Sequence, residues 1–134
     1  MKKTNTINTV GTRKKSVARA SLKDGSGMIK INSRPLTQIQ PEMSRLRILE
    51  PLLIAGDAAK KYDISVSVMG GGVVSQADAA RLAIAKAISE KNSKMRDEFL
   101  RYDRTLLVAD VRQREARKPN RCGSARSKRQ KSYR

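Results

Sequence analysis

The chain of 134 residues carries 30 Lys or Arg against 12 Asp or Glu, a formal net charge of +18. One domain of moderate size fits that length, and the surplus of cations points to a polyanionic partner. With no histidine, a single cysteine and aromatic residues at 3%, the composition argues against general-base catalysis, against a disulfide framework and against binding that stacks successive bases on rings.

Residues 1–21 hold six of the basic residues, among them Arg13, Lys14, Lys15 and Arg19, and no acid. The opening MKKTNTINTV has no continuous apolar run after its lysines, so a secretory signal is not expected. Nor does any stretch approach the roughly 18 apolar residues of a spanning helix, and a soluble, intracellular chain is expected, with Cys122 a bystander thiol. Residues 16–22 alternate, with Val17, Arg19 and Ser21 on one side and Ala18, Ala20 and Leu22 on the other, which predicts a strand. Asp24-Gly25-Ser26-Gly27 is turn chemistry, and residues 28–31 return as a second strand, so the two are expected to pair as a hairpin.

A further turn at Asn32-Ser33-Arg34-Pro35 leads to a helical pattern that places Ile39, Met43, Leu46, Leu49 and Leu53 on one face. Pro51 interrupts it, because a proline inside a helix removes a hydrogen bond and clashes with the preceding turn, so two short helices are expected, with Pro51 near the start of the second. Residues 63–69 alternate again, Ile64, Val66 and Val68 facing one way, and predict a strand. Gly70-Gly71-Gly72 follows, then a helix over 76–89 with Ala77, Ala80, Ile84, Ala87 and Ile88 as its apolar stripe and Ser75 with Asp78 as its capping box. The glycine run lacks both the Walker lysine and the spaced third glycine of a dinucleotide fingerprint, so no cofactor is expected there. It reads as a tight strand-to-helix connection, or at most as a backbone approach to RNA phosphate.

A weaker helix around residues 95–101 and the apolar run Leu106-Leu107-Val108 end the scaffold, which has no internal repeat and no second domain. Residues 22–110 are nearly balanced, with fourteen basic and eleven acidic residues, whereas residues 111–134 carry ten basic residues against Glu115 alone. The chain therefore divides into an α+β domain over 1–110 with a basic N-terminal strand, and a basic tail over 111–134. With so little to bury, the tail needs a polyanion to order it. It is rich in arginine, whose guanidinium engages phosphate bidentately, and fully extended it reaches on the order of 80 Å. RNA, held by phosphate contact and shape, is the expected partner. A free-standing nucleic-acid packaging or chaperone protein stays open on composition, while a membrane-surface role is disfavoured because the tail has no apolar face. No metal site is expected.

Several segments in order resemble one family, the universal small-subunit ribosomal protein nine. Residues 11–20, GTRKKSVARA, are similar to its G-x-R-K-x-[ST/A]-x-A-R-[AV] opening, and residues 31–36, INSRPL, to its I-N-x-[KR]-P turn. The glycine run with QADAAR at 76–81 resembles its glycine segment and Q-A-x-A-x-R helix. Tyr102-Asp103-Arg104 with residues 106–112, LLVADVR, resembles its pretail segment, and residues 130–134, QKSYR, its archaeal and eukaryotic terminus.

The resemblance implies an α+β fold like the second domain of small-subunit ribosomal protein five. That fold has a small mixed four-stranded sheet with helices on one face, a left-handed βαβ crossover and an extended basic C-terminal tail. It implies a non-enzymatic, cytoplasmic ribosomal protein, bound to the 3′ major domain of small-subunit rRNA in the head beside neighbouring head proteins. The tail is then expected to reach tRNA in the peptidyl site. The rRNA contacts implied are Arg13, Lys14, Lys15, Arg19, Gly70, Gly71, Gly72, Arg112, Arg114, Arg117, Lys118, Arg121, Arg126, Lys128 and Arg129. The tRNA contacts implied are Lys131, Tyr133 and Arg134. The family's bacterial form ends Ser-Lys-Arg; here Tyr133 replaces the penultimate lysine, which suits stacking or hydrogen bonding instead of charge pairing.

Overall fold

The computed structural model describes residues 6–120, 125, 126 and 133. Five strands form one mixed sheet: β1 (Ile7–Arg13), β2 (Ser16–Asp24), β3 (Ile29–Ile31), β4 (Arg34–Pro35) and β5 (Tyr62–Met69), in the order β1-β2-β5-β3-β4. Three helices accompany it: α1 (Glu42–Ala55), α2 (Val73–Lys91) and α3 (Ser93–Tyr102). The α+β class is as expected, but the sheet has five strands where four were implied. β3 and β5 are parallel neighbours joined through α1, which makes the βαβ unit; every other pairing is antiparallel.

The predicted hairpin between residues 16–22 and 28–31 does not form. β5 lies between those strands, antiparallel to β2 and parallel to β3. The apolar register explains the choice, since Ala18, Ala20 and Leu22 sit opposite Val68, Val66 and Ile64, all buried. The Asp24–Gly27 segment instead swings past the end of β5, where the Asp63 carboxylate accepts from the backbone N–H groups of Ser26 at 2.9 Å and Met28 at 2.8 Å. The hairpins that do form are β1–β2, across Lys14 and Lys15, and β3–β4, across Asn32 and Ser33 with φ of 47° and 67°. Asn32 locks the second of these to β5, donating to Val68 O at 3.2 Å and accepting from Val68 N at 2.8 Å.

The bonds from Met28 and Ser26 hold the Asp63 carboxyl below its ordinary range. A folded-state pKa below the unfolded one means stabilisation that is complete above the unfolded value, near 4, and lost as pH falls through the folded one. Thermal melts are thus expected to show Asp63→Ala less stable than the parent at pH 7, with the gap closing below about pH 4. A gap independent of pH would assign its cost to something other than the carboxylate's charge.

The helix-facing side of the sheet is apolar and small, and α2 lies directly on it. The stripe Ala77, Ala80, Ile84, Ala87 and Ile88 is buried as predicted, joined by Ala79, Leu82, Ala83 and Ala85. An added Cβ on Gly11 would stand 2.2 Å from Ala79 O and 2.7 Å from Ala83 N, so β1 and α2 touch through bare backbone at this point. Thr9 fixes the same crossing by donating its hydroxyl to Ala83 O at 2.7 Å. The helix begins earlier than predicted, with Gly72 as its N-cap, and Ser75 serves as the third residue, its Oγ accepting from Gly72 N at 3.0 Å. Asp78 caps nothing and pairs with Arg13 and Arg47 instead.

Helix α1 runs unbroken through Pro51, contrary to the two short helices expected. Its ring is fully buried, so apolar contact offsets part of the ~3 kcal/mol that an interior proline costs. The predicted face is only partly right: Ser44, Ile48, Leu52 and Ala55 turn inward, Leu49 and, ahead of the helix, Ile39 pack half-buried against the core, and Met43, Leu46 and Leu53 are exposed. The sequence is apolar on two sides of this helix, and periodicity alone did not rank them. α3 appears where predicted, burying Met95 and Phe99, and Leu106 in the turn after it is fully buried. No helix among the described residues is long and apolar enough to cross a membrane.

Candidate nucleic-acid interface

Three segments far apart in sequence converge at one end of the sheet. The β1–β2 turn brings Lys14 and Lys15, the start of α2 brings Gly71, Gly72 and Ser75, and the stretch after the scaffold brings Arg112, Gln113 and Arg114. Together they line an open groove of about 440 Å3 with four cations and no carboxylate. Helix α2 points its N-terminus, the positive end of its dipole, into the same groove. A phosphodiester backbone is the ligand that such a groove favours.

The glycine run shapes this end. Gly70 and Gly71 have φ of 77° and 65°, which side chains rarely adopt, and a Cβ on Gly71 would meet Ser16 Oγ at 2.1 Å. Ser16 Oγ donates to Gly70 O at 2.9 Å and lies 2.8 Å from Ser75 Oγ. The tight strand-to-helix connection is thus present. Gly71 and Gly72 line the groove, but the Gly72 N–H is already taken by Ser75, and Gly70 lies outside the lining. Ser75 and Gln113 were not singled out for this role from sequence, since neither carries charge.

The basic residues divide by what they already hold. Arg13 is turned toward the domain, its guanidinium 3.2 Å from Asp110 and 3.8 Å from Asp78, so its charge is already paired within the chain. Asp110 joins it to the tail, accepting from Arg112 N at 2.9 Å and from the Arg112 guanidinium at 2.6–3.1 Å. The Arg112 side chain, its backbone N–H and Arg13 hold the Asp110 carboxyl far below its ordinary range. Arg112 is therefore tied back to β1 through a carboxylate that stays ionised.

A second brace lies deeper. Arg81 on α2 reaches Asp103 at 3.0 Å and Glu50 at 2.6 Å, and donates to Thr105 Oγ1 at 3.2 Å. Burial works against its charge, but Asp103 and Glu50 outweigh that and raise the guanidinium's pKa. α1, α2 and the turn before the tail are thus tied together at one side chain. Arg81 stood in the QADAAR motif, yet nothing in the sequence named its partners.

Arg19 is exposed on the open face of the sheet, near Lys30 and the serines at 21, 65 and 67, away from the groove lining. Arg114, Arg117 and Lys118 are exposed without an ion pair among the described residues. Residues 109–118 carry no helix or strand. Arg126 holds both carboxylate oxygens of Glu115, with Nε at 2.9 and 3.0 Å, so its charge is partly spent within the chain. Tyr133 is 87% exposed. Arg121, Lys128, Arg129, Lys131 and Arg134 lie outside the described residues.

A family model described as ribosomal protein S9/S16 matches residues 11–134. Among curated proteins, the chain is 47% identical over 131 residues to "Small ribosomal subunit protein uS9" of Methanococcus maripaludis strain C7, covering 96% of this chain and 98% of that protein. The protein of the same name from Methanococcus vannielii matches with the same identity and coverage.

Proposed function

The chain belongs to the ribosomal protein S9/S16 family, and on that premise we propose that it is a non-enzymatic structural constituent of the cytoplasmic small ribosomal subunit, bound to head rRNA through the Lys14–Lys15 groove, with its tail directed to peptidyl-site tRNA. The observation that carries the rRNA part is the convergence of four cations from two segments around the α2 N-terminus with no acid among them. Phosphate neutralisation supplies the binding, and the shape of the groove supplies register without reading bases. The 3′ major domain of the rRNA is the expected ligand.

The ion pair between Arg13 and Asp110 supports a fixed origin for the tail in this reading. Arg117, Lys118, Arg121, Arg126, Lys128 and Arg129 then follow rRNA phosphates, and Lys131, Tyr133 and Arg134 meet the tRNA backbone. The direction of the crossover through α1 is left-handed in this reading, as in the second domain of small-subunit ribosomal protein five.

Deleting residues 131–134 tests the tail tip. Subunits assembled with the shortened chain are expected to form at normal yield and to release peptidyl-site tRNA a few-fold faster, the size of effect due to losing one or two charge-assisted contacts. Equal release rates for full-length and shortened subunits would remove the tRNA contact while leaving the rRNA reading in place.

A further inference from the structure

On the other side of α2 from the β1 crossing, a second cleft opens between the β3–β4 hairpin, the start of α1 and the start of α2, with a volume of about 540 Å3. Its floor is apolar, formed by Ile31, Ile48, Val68 and Ala77. Around it stand the side-chain amides of Gln38 and Gln40 and the guanidinium of Arg34, with Gln76 beside them already donating its amide to Gly70 O at 3.0 Å. No Asp or Glu lines it. Arg34 makes no ion pair among the described residues, and the amides of Gln38 and Gln40 make no hydrogen bond there. Ser44 lines the same cleft and is 4% exposed.

Resting on the RNA-binding reading above, we propose that this cleft takes one unpaired nucleotide of RNA, with its base edge against the amides of Gln38 and Gln40 and the Ser44 hydroxyl, its face on the apolar floor and its phosphate at Arg34. The amide of glutamine offers a donor and an acceptor side by side, the pattern that base edges complement. The absence of any carboxylate, with a single unpaired cation at the rim, selects an anionic ligand over a neutral or basic peptide. No aromatic ring lines the cleft, so the base is held by its edge and by van der Waals contact, which gives base discrimination that the phosphate groove lacks.

The test uses the full chain, labelled with 15N, titrated with the four ribonucleoside 5′-monophosphates and with ribose 5-phosphate as the baseless control. The side-chain amide signals of Gln38 and Gln40 are expected to shift and saturate with at least one nucleotide and not with ribose 5-phosphate. The double variant Gln38→Ala with Ser44→Ala weakens that response at least about fivefold, the low end for one edge contact. Gln38→Ala alone, at an exposed position, gives the same direction should the double variant fail to fold. Equal shifts with ribose 5-phosphate, or shifts confined to the Lys14–Lys15 groove, would overturn the proposal. So would capture of a protein instead of RNA by a photo-crosslinking residue placed at position 38 in assembled subunits. Loss of rRNA affinity in groove variants is read separately, so failure of the cleft and failure of the RNA-binding reading are told apart.

Discussion

Replacing Lys14, Lys15, Arg112 and Arg114 together by alanine is expected to lower the affinity of the free chain for small-subunit rRNA by roughly 10²–10³-fold at 0.1 M salt. The magnitude follows from counterion release: each neutralised phosphate of single-stranded RNA contributes about 0.7 to the slope of log K against log salt, so four lost contacts flatten it by about 3. The four side chains line one groove with no acid among them, so their loss is not offset by freeing a neighbour there. Arg112 does leave Asp110, but Asp110 keeps Arg13 at 3.2 Å, so the tail's departure stays pinned. Thermal melts of the variant are expected to match the parent within a few degrees, because these are exposed or rim positions. Filter binding over a salt series checks the slope, and an unchanged slope would mean that the phosphates are met elsewhere on the chain. Arg13→Ala makes a useful contrast. Its guanidinium lies between Asp78 and Asp110, so it is expected to cost stability, with a smaller direct change in the salt slope.

Gly11→Val is expected to be the most damaging single substitution in the domain. Even the first carbon of the new side chain would lie 2.2 Å from the carbonyl oxygen of Ala79 and 2.7 Å from Ala83 N, both backbone atoms that have no rotamer in which to retreat. Either α2 lifts from β1 or the strand shifts its register, and in both cases the Thr9 bond to Ala83 O is strained. Overpacking costs about 1–3 kcal/mol where side chains can yield, and this contact is stiffer. At 4–8 °C per kcal/mol for a domain near this size, Tm falls by roughly 10–20 °C or more. Gly56 offers the control, since a Cβ there would meet nothing within 4 Å and only its φ of 52° opposes a side chain. Equal losses for Gly11→Ala and Gly56→Ala would show that backbone conformation, and not the close crossing, sets the cost.

What was legible in the sequence is what depends on short-range period. β5 and α2 carry clean alternation and a clean alanine–isoleucine stripe, and both form there, α2 starting earlier than the pattern marks. The β2–β3 hairpin was misread because turn residues report a reversal but not the partner. β5 outcompetes β3 for β2 by matching Ile64, Val66 and Val68 to three buried partners, a long-range choice invisible in a local window. α1 was misread because Met43, Leu46 and Leu53 compete with Ile48, Leu52 and Ala55 for the same helix, and only packing decides.

The candidate site shows the same division. That the two ends are basic, and that Lys14, Lys15, Arg112 and Arg114 are candidates, follows from composition and motif. That they share a groove with the α2 N-terminus does not, because the sheet order and the Arg13–Asp110 ion pair together bring the segments there. Arg13 and Lys14 are adjacent in sequence and alike in charge, yet one is turned to Asp110 and Asp78 while the other lines the groove. The cleft beside the INSRPL segment had no charge signature, so nothing short of packing could reveal it.

The most direct test of the central claim is sedimentation of a cell lysate containing the native chain through a high-salt sucrose gradient, with the protein quantified by mass spectrometry against the rRNA of each fraction. Residence in the small-subunit peak at close to one copy per rRNA is the predicted result. Release to the top of the gradient, or a spread across DNA-containing fractions without fixed stoichiometry, would contradict it and point to a free-standing packaging or chaperone protein instead.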